Sequence, residues 1–290
     1  MDDDLLRRRA RTLRDLVEPI CANVYFAPEA HNRYAALGLS YAPGYFASRG
    51  ACLGQAPGEV VAAAFGVFKP AAVVAAVDEA WSRTDAPTIL AARETGAVAS
   101  LERIFGDDPR VEQIRAGLDR ATELLARAAA AAPPGEGRAL YSGLTSLGYP
   151  GSAVGDLWRA CDLVREHRGD SHIIAWVGHG LDPVQATLTT ELWWRLPLRS
   201  YVRTRYWTDD EIEAALGRLR VRGLVEGDTF TEAGERLRSD IELSTDRQER
   251  PIVEALGDGA DELFALLTPM TDAVLDAKGY PADPRRMTRP

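Results

Sequence analysis

Apolar residues recur every three or four positions along most of the chain, which is the period of an amphipathic α-helix. Leu13, Leu16, Val17 and Ile20 follow this spacing in the first segment. Proline stands near the start of several later segments, where a helix needs no N–H donor. The pattern predicts a mostly α-helical chain, with helices over residues 57–68, 69–81, 86–106, 111–132, 155–181, 182–196 and 208–223. The segment 155–181 is either one long helix or two helices broken at Gly169.

A short segment with a different pattern follows the helix predicted over residues 208–223. It reads LVEGDTFT, and its central pair, Gly227 and Asp228, suits a tight hairpin between two short strands. Thr208 stands where an N-cap is expected, and Glu211 three residues later completes a capping box. The sequence therefore predicts a helix, a two-stranded wing and a further helix, which together form a winged helix-turn-helix.

The residues around this wing resemble a known family. The helix ends in RGLV, and the wing is followed by FTEAGERLRSDIELSTDR, which is similar to the segment between the wing and the dimerisation helix of MarR-type proteins. This resemblance covers residues 182–275. The whole chain also resembles a group of actinobacterial winged-helix proteins that carry YFAPEA, here Tyr25–Ala30, and REHRGDxH, here Arg165–His172. The MarR resemblance implies a DNA-binding regulator that works as a symmetric homodimer.

The two halves of the chain share an order of predicted elements. Residues 57–68 correspond to 182–194, and residues 69–81 correspond to 208–220. Two long helices follow in each half. This order predicts a degenerate tandem repeat that resembles a MarR dimer fused in one chain, with a first copy that has lost its wing. The alternative is that alanine-rich helical sequence aligns in this way through its composition alone.

A proline- and glycine-rich stretch suggests where the halves divide. Residues 131–139, AAPPGEGRA, interrupt the helical pattern with two prolines and two glycines. We predict a degenerate winged-helix-like half over residues 1–135, a linker over 136–154 and a MarR-like half over 155–290. A chain of 290 residues is long enough for two such domains.

Composition restricts the function classes. The net charge of -9 opposes the phosphate backbone of DNA unless basic residues cluster locally. Cys21, Cys52 and Cys161 are widely spaced without a CxxC motif, which favours buried side chains over a disulfide framework or a zinc site. The sequence contains no signal-peptide pattern, no apolar run of membrane-spanning length and no common nucleotide or hydrolase motif. These features predict a cytoplasmic protein with no membrane partner and no cofactor.

The predicted recognition helix is poorly suited to DNA at its N-terminal end. This end reads TDDEIE and the wing adds Glu226 and Asp228, whereas base and phosphate contacts need mostly Arg, Lys, Asn or Gln. Some basic residues nevertheless stand in and just before this helix. The candidate DNA contacts are Arg203, Arg205, Arg218, Arg220 and Arg222. DNA binding is therefore expected to be weakened.

Polar residues continue an apolar helical stripe in the middle of the chain. The stripe contains Leu157, Cys161, Val164, Arg168, His172, Ala175 and His179. Because its first members are apolar, we expect Arg168, His172 and His179 to point inward, where buried charge needs partners. The network either holds the helix against the other half or lines a ligand site. His172 and His179 lie about 10 Å apart along a helix, so no metal site is predicted.

A ligand site between the halves would draw on both of them. Its candidate residues are Arg168, His172, Trp176, His179, Tyr25, Tyr45 and Arg49. The sequence thus predicts a small-molecule-binding regulator, either a monomer with an internal pseudo-dimer or a homodimer. The alternative is an enzyme or a ligand carrier on a regulator scaffold. In the enzyme, His172 or His167 would be the acid or base, Asp170 would orient it and Arg168 would hold an anion.

Overall fold

The computed structural model describes residues 1–283 and 285. Across these residues the chain forms fourteen α-helices, four short 3-10 helices and one two-stranded sheet. The predictions of a mostly helical fold and of a single hairpin are confirmed. No helix in this part of the chain combines the length and the apolar character needed to cross a bilayer.

Eight α-helices precede the middle of the chain. They are α1 (Asp3–Ala22), α2 (Pro28–Ala36), α3 (Tyr41–Gly50), α4 (Gly58–Phe65), α5 (Pro70–Trp81), α6 (Ala86–Asp107), α7 (Val111–Ala131) and α8 (Ala139–Thr145). Two 3-10 helices, Asn23–Tyr25 and Ala51–Leu53, join some of them. Pro28 and Pro70 stand at the first position of their helices, as the sequence pattern predicts.

The remaining elements include the winged segment. They are α9 (Ala153–Gly178), α10 (Pro183–Trp194), a 3-10 helix (Val202–Arg205), α11 (Asp209–Val221), β1 (Val225–Glu226), β2 (Thr229–Phe230), α12 (Glu232–Gln248), α13 (Arg250–Leu256), a 3-10 helix (Gly257–Gly259) and α14 (Ala260–Asp276). Asp182 and Thr208 each accept the backbone N–H of the third helical residue, so both predicted N-caps form. Glu211 completes the predicted capping box at Thr208.

The wing is a minimal antiparallel hairpin between α11 and α12. Val225 pairs with Phe230, and Glu226 pairs with Thr229. Gly227 has a φ of 56°, a left-handed conformation that the missing Cβ makes accessible. Gly234 lies in the first turn of α12, where a Cβ would overlap the carbonyl oxygen of Leu224. The glycine in FTEAGERL thus lets α12 pack directly on the wing.

Helix α9 is the central element of the fold. It runs unbroken through Gly169, so the single-helix alternative is correct. It packs against α1, α6, α7, α8 and α12. Because neighbours surround it, α9 buries residues on all sides, including Arg159, Asp162, Glu166, His167, Arg168 and Asp170. Buried charges of this kind require specific partners, and these partners come from other helices.

Two apolar clusters form most of the core. The larger one extends from Leu13 to Val164 and takes in α13 and α14, so it contains residues of both predicted halves. A smaller one fills the winged segment and contains Trp176, Leu216 and Ile241. The predicted linker contains α8, which packs on α9. The tandem repeat and the domain division stay predictions.

Candidate functional site

A cavity of about 510 Å³ lies between the first helices of the chain and the winged segment. Its wall is built by α1, α3 and α4 on one side and by α9, α10 and α12 on the other. Five of the seven predicted ligand residues line it, namely Tyr45, Arg49, Arg168, His172 and Trp176. The volume lies within the range of about 300–1,000 Å³ that small-molecule sites occupy.

The other two predicted ligand residues lie outside this cavity. Tyr25 is behind its wall, where its hydroxyl accepts from Arg93 Nη2 at 3.4 Å and donates to Glu166 Oε1 at 3.5 Å. His179 follows the last residue of α9 and donates from Nδ1 to the carbonyl of Ala175 at 2.8 Å. The regular helical spacing that predicted an inward His179 ends with α9, so this ring does not reach the cavity.

Arginines dominate the charged part of the wall. The six arginines that line the cavity are Arg14, Arg49, Arg165, Arg168, Arg205 and Arg238. The three carboxylates that line it are Glu18, Glu242 and Glu249. Of these arginines, Arg49 and Arg168 were predicted as ligand residues from the sequence, and the other four were not. One of the four, Arg238, could have been found from its i,i+4 spacing with Glu242 on α12. Both residues share a buried face with Ile241 and Thr245.

Arg49 and Glu166 form one ionic network at the cavity. Arg49 donates from Nε to Oε1 of Glu166 at 2.7 Å and from Nη2 to Oε2 at 2.8 Å. Arg165 also donates to Glu166 Oε1 at 2.7 Å and binds Glu18 at 3.1 Å. Burial opposes ionisation of Glu166, yet Arg165 and Arg49 lower its pKa to about 2. Arg49 is therefore held rigidly in place.

A second network surrounds Glu242. Arg238 binds Glu242 Oε1 at 2.6 Å, while Arg168 Nη2 and Arg14 Nη1 lie 3.5 Å and 3.9 Å from Oε2. Arg168 also donates to Asp246 Oδ1 at 2.8 Å. Against the effect of burial, these guanidiniums keep the pKa of Glu242 well below its usual range. Three arginines from α1, α9 and α12 thus converge on one carboxylate.

His172 is a neutral hydrogen-bonding group in this environment. The Thr245 hydroxyl donates to the carbonyl of Ile241 at 2.8 Å, so it accepts from His172 Nδ1 at 3.1 Å. This assigns the proton to Nδ1 and leaves Nε2 as an acceptor. Burial, together with Arg238 and Arg168, lowers the pKa of His172 to about 3. His172 is therefore uncharged at neutral pH, because it is buried beside arginines of α9 and α12.

The predicted catalytic trio is not assembled. Asp170 Oδ2 accepts from the backbone N–H of Tyr141 at 2.9 Å, at the start of α8, and burial raises the pKa of Asp170 to about 7. His167 Nδ1 lies 2.8 Å from Glu249 Oε1. Neither Asp170 nor His167 lines the cavity. Asp170 orients neither histidine, because its carboxylate is directed to α8. Sequence proximity on one helix could not reveal this.

Aromatic rings form much of the remaining wall. Phe65, Phe68, Trp176, Trp194 and Tyr201 all line the cavity. The Arg205 guanidinium lies 4.6 Å from the centre of the Phe68 ring and 4.1 Å from that of Tyr201. Arg205 was predicted to contact DNA, but it belongs to the cavity wall. Among the described residues, no cluster of three or more His, Cys, Asp or Glu side chains is arranged to hold a metal ion.

The order of α10, α11, wing and α12 is that of a winged helix-turn-helix, and a comparison with protein families also identifies a helix-turn-helix. The model of a helix-turn-helix family matches residues 10–281. The chain belongs to this helix-turn-helix family. No curated protein and no solved structure matches the sequence. The family supports the helix-turn-helix character in general, while the finer MarR-type assignment stays a prediction.

The candidate DNA contacts of this helix-turn-helix segment are engaged within the chain. Arg203 binds Asp209 at 2.9 Å, and Arg218 binds Asp182 at 2.7 Å. Arg220 donates to the carbonyl of Gly227 at 2.9 Å, and Arg222 donates to that of Gly180 at the same distance. These four side chains lie on the surface, where such ion pairs are worth about 1 kcal/mol or less. These contacts therefore hold the four side chains only weakly.

The outward face of α11 offers few groups that read bases. Its exposed residues include Asp210, Glu213, Ala214 and Val221, and Val221 is 90% exposed. Arg199, in the segment before α11, pairs with Glu213 of α11 and with Asp228 of the wing. Its positive charge is therefore already neutralised within the chain. The helix-turn-helix is present in shape, while Asp210, Glu213, Ala214 and Val221 make much of the exposed surface of α11 acidic or apolar beside Arg218 and Arg220.

Proposed function

We propose that this helix-turn-helix protein is a ligand-responsive transcriptional regulator of MarR type, whose ligand occupies the cavity between the first helices and the winged segment. The observation that carries the proposal is the shared wall of the cavity. Tyr45 and Arg49 come from α3, His172 and Trp176 come from α9, and Arg205 ends the 3-10 helix before α11. A molecule in the cavity contacts both sides at once.

The contacts between these sides offer a route from the cavity to α11. Trp207 Nε1 donates to the carbonyl of Val67 at 2.9 Å, and Lys69 N donates to the carbonyl of Arg205 at 2.9 Å. Lys69 also pairs with Glu211 in the first turn of α11. Val67 and Arg205 line the cavity. If these groups have two arrangements, each with its own position of α11, a ligand that prefers one of them shifts the equilibrium toward it. The size of this shift is set by the difference in the ligand's affinity for the two arrangements.

The proposed regulator contains in one chain what MarR-type proteins assemble from two. Its two halves would take the places of two subunits, in line with the predicted tandem repeat. We therefore propose a monomer in solution, with a homodimer as the alternative. Analytical ultracentrifugation distinguishes a mass of 31.6 kDa from twice that value.

DNA binding tests the regulatory part of the proposal. Fluorescence anisotropy with labelled duplexes from the region upstream of the protein's own gene should show saturable binding that weakens steeply with salt. An Arg220→Gln/Arg222→Gln variant should bind more weakly, while Arg120→Gln, at a surface pair on α7, should not change the affinity. Binding that does not depend on sequence or on these arginines would contradict a regulator.

A second candidate is a ligand carrier that no longer binds DNA. The specific observation in its favour is the outward face of α11, where Asp210 and Glu213 would meet phosphates. Under this alternative the protein fails to bind any of these duplexes at low salt and still retains a molecule in the cavity. The same anisotropy experiment therefore separates the two candidates.

A further inference from the structure

The connection between α10 and α11 is long and held in an unfavourable conformation. A helix-turn-helix usually joins its two helices through a turn of about 3–4 residues, whereas residues 195–208 lie between these two helices. Arg195, Arg199 and Tyr206 in this connection have φ values of 54°, 70° and 68°. This left-handed conformation is unfavourable for residues with a Cβ and persists only where surrounding contacts impose it. The α10–α11 connection therefore requires contacts that hold its path.

A buried carboxylate supplies such contacts. Glu191, in the last turn of α10, is fully buried. Its Oε2 accepts the backbone N–H of Arg199 and its Oε1 accepts that of Val202, each at 2.7 Å. Burial raises the pKa of Glu191, and these N–H groups oppose the increase. Because the donors belong to the backbone, Glu191 fixes the course of the chain at the residue that carries the Arg199 side chain.

One side of the α10–α11 connection is part of the cavity wall. Leu196, Tyr201 and Arg205 line the cavity. The Arg205 guanidinium lies 4.1 Å from the centre of the Tyr201 ring and donates to its hydroxyl. Tyr201 is followed directly by Val202, which is fully buried and bonded to Glu191. The backbone that Glu191 holds therefore carries a side chain of the cavity wall.

Arg199 brings the same connection into contact with the wing. Its guanidinium donates to Glu213 of α11 and, at 3.0 Å, to Asp228 Oδ2 of the wing. The charge of Asp228 acts against ionisation of Glu213, so a cation shared by both carboxylates favours the position of the wing beside α11. Arg220 also pairs with Asp228, at 3.3 Å, but it belongs to α11 itself. Arg199 thus ties the wing to a segment outside α11.

We propose that the α10–α11 connection is a relay between the cavity wall and the wing, with Glu191 as its positioning residue and Arg199 as its contact on the wing. This inference rests on the proposed function and deepens it, because it names the element through which the cavity acts on the wing. A displacement of Tyr201 at the cavity moves the backbone that Glu191 holds, and Arg199 transmits it to the wing. The ion pair of Lys69 reaches the first turn of α11, whereas this relay reaches the wing.

Amide hydrogen exchange, followed residue by residue by nuclear magnetic resonance, tests the relay in the full chain. Exchange rates report how often each segment opens. Glu191→Gln keeps the size of the side chain and replaces one acceptor oxygen by a donor. We expect it to speed exchange at residues 225–231 of the wing about fivefold, a factor that corresponds to about 1 kcal/mol. Arg199→Gln should speed exchange in the wing to the same extent.

The double variant distinguishes a relay from a purely local role of Glu191. If Glu191 acts on the wing through Arg199, Glu191→Gln/Arg199→Gln should exchange no faster in the wing than Arg199→Gln alone. Effects that multiply in the double variant would overturn the proposal. Unchanged exchange of the wing in Glu191→Gln would also overturn it, because the carboxylate would then hold only its own connection.

Control variants keep the test independent of global stability. Arg203→Gln removes a cation of the same connection that pairs with Asp209 at 2.9 Å, and it should leave the wing unchanged. Amides of α7, outside the winged segment, serve as the reference for global unfolding. Should Glu191→Gln not fold, Tyr201→Ala perturbs the connection from its cavity side and should speed exchange in the wing only while Arg199 is present. Equal effects of Tyr201→Ala with and without Arg199 would contradict the relay.

The exchange experiment contains neither DNA nor ligand, so its outcome is independent of the regulatory proposal. A wing that depends on Glu191 through Arg199, in a protein that binds no duplex, would support the relay and remove the regulator. DNA binding by a protein in which the two substitutions act independently would do the reverse.

Discussion

Arg49 and Glu166 are joined by two parallel hydrogen bonds, Nε to Oε1 at 2.7 Å and Nη2 to Oε2 at 2.8 Å. They connect α3 to α9 across 117 residues of sequence. Their side chains are 9% and 1% exposed. The Arg49 guanidinium also lies 4.4 Å from the centre of the Phe65 ring. This pair fixes one side of the cavity against the central helix.

Glu166→Gln should destabilise the protein, because it leaves the buried guanidiniums of Arg49 and Arg165 without their carboxylate. Breaking a buried ion pair costs about 3–5 kcal/mol. Urea denaturation should show a loss of this size in the free energy of unfolding. Arg236→Gln, which removes an exposed pair with Glu232, should change it by less than about 0.5 kcal/mol. Equal effects of the two substitutions would show that the Arg49–Glu166 pair is not structural.

Glu166 also gives the stability a dependence on acidic pH. Its folded-state pKa of about 2 lies below the usual value of 4.5 for glutamate. A carboxyl group of this kind contributes stability above pH 4.5, and the contribution is lost as the pH falls toward 2. Wild-type stability should therefore drop over this interval more steeply than that of Glu166→Gln, as measured by urea titration at each pH. Parallel curves for the two proteins would contradict the depressed pKa.

Asp170 should act in the opposite direction. Burial raises its pKa to about 7, although the N–H of Tyr141 counteracts the effect. The folded state therefore retains a proton that the unfolded state releases near pH 4, and the contribution of Asp170 to stability falls as the pH rises through 7. Asp170→Asn keeps an oxygen for Tyr141 and cannot ionise. Its melting temperature relative to the wild type should rise by about 4 °C between pH 5 and pH 8. A constant difference would refute this assignment.

His172 should not titrate at physiological pH. Its pKa of about 3 results from burial and from the positive charges of Arg238 and Arg168. Two-dimensional nuclear magnetic resonance of the four histidines, with His172 assigned through His172→Gln, should show an unchanged ring signal between pH 5 and pH 8. A midpoint near the usual value of about 6.5 would restore His172 as a candidate acid or base. It would also mean that the arginines do not face it.

Two glycines of the winged segment should respond differently to alanine. At Gly234 a Cβ would overlap the Leu224 carbonyl and the Phe230 ring, so Gly234→Ala should destabilise the wing by about 1–3 kcal/mol. At Gly217, in α11, a Cβ meets no atom within 4 Å. Gly217→Ala should stabilise the protein by up to about 1 kcal/mol through helix propensity. Thermal unfolding measures both, and destabilisation by both would contradict the described packing of α12 on the wing.

Local features of the fold could be predicted from the sequence, because neighbouring residues determine them. Thr208 and Asp182 cap helices through atoms three residues away, and Gly227 permits the hairpin turn. Helical spacing also brought Arg168 and His172 to one inward face. These features needed no knowledge of distant contacts.

The electrostatics of the site depend on such distant contacts. Arg14 and Arg238 reach the cavity from α1 and α12, and their charge adds to the effect of burial, which lowers the pKa of His172. Asp170 follows Arg168 closely in sequence and yet is directed to α8. Periodicity assigns a face to a residue, but the approach of another helix decides its partner. Tyr45 and Arg49, which were predicted as ligand residues, are one helical turn apart on α3 and both line the cavity.

Native mass spectrometry of the protein isolated from its own cells tests most directly the proposal that the cavity binds a ligand. We expect one bound small molecule per chain in the wild type. The molecule should be absent from Thr190→Trp, which places a large ring in the cavity wall, while circular dichroism shows an unchanged fold. A wild-type chain that carries no such molecule, or an adduct that persists in the folded Thr190→Trp variant, would contradict a ligand site in this cavity.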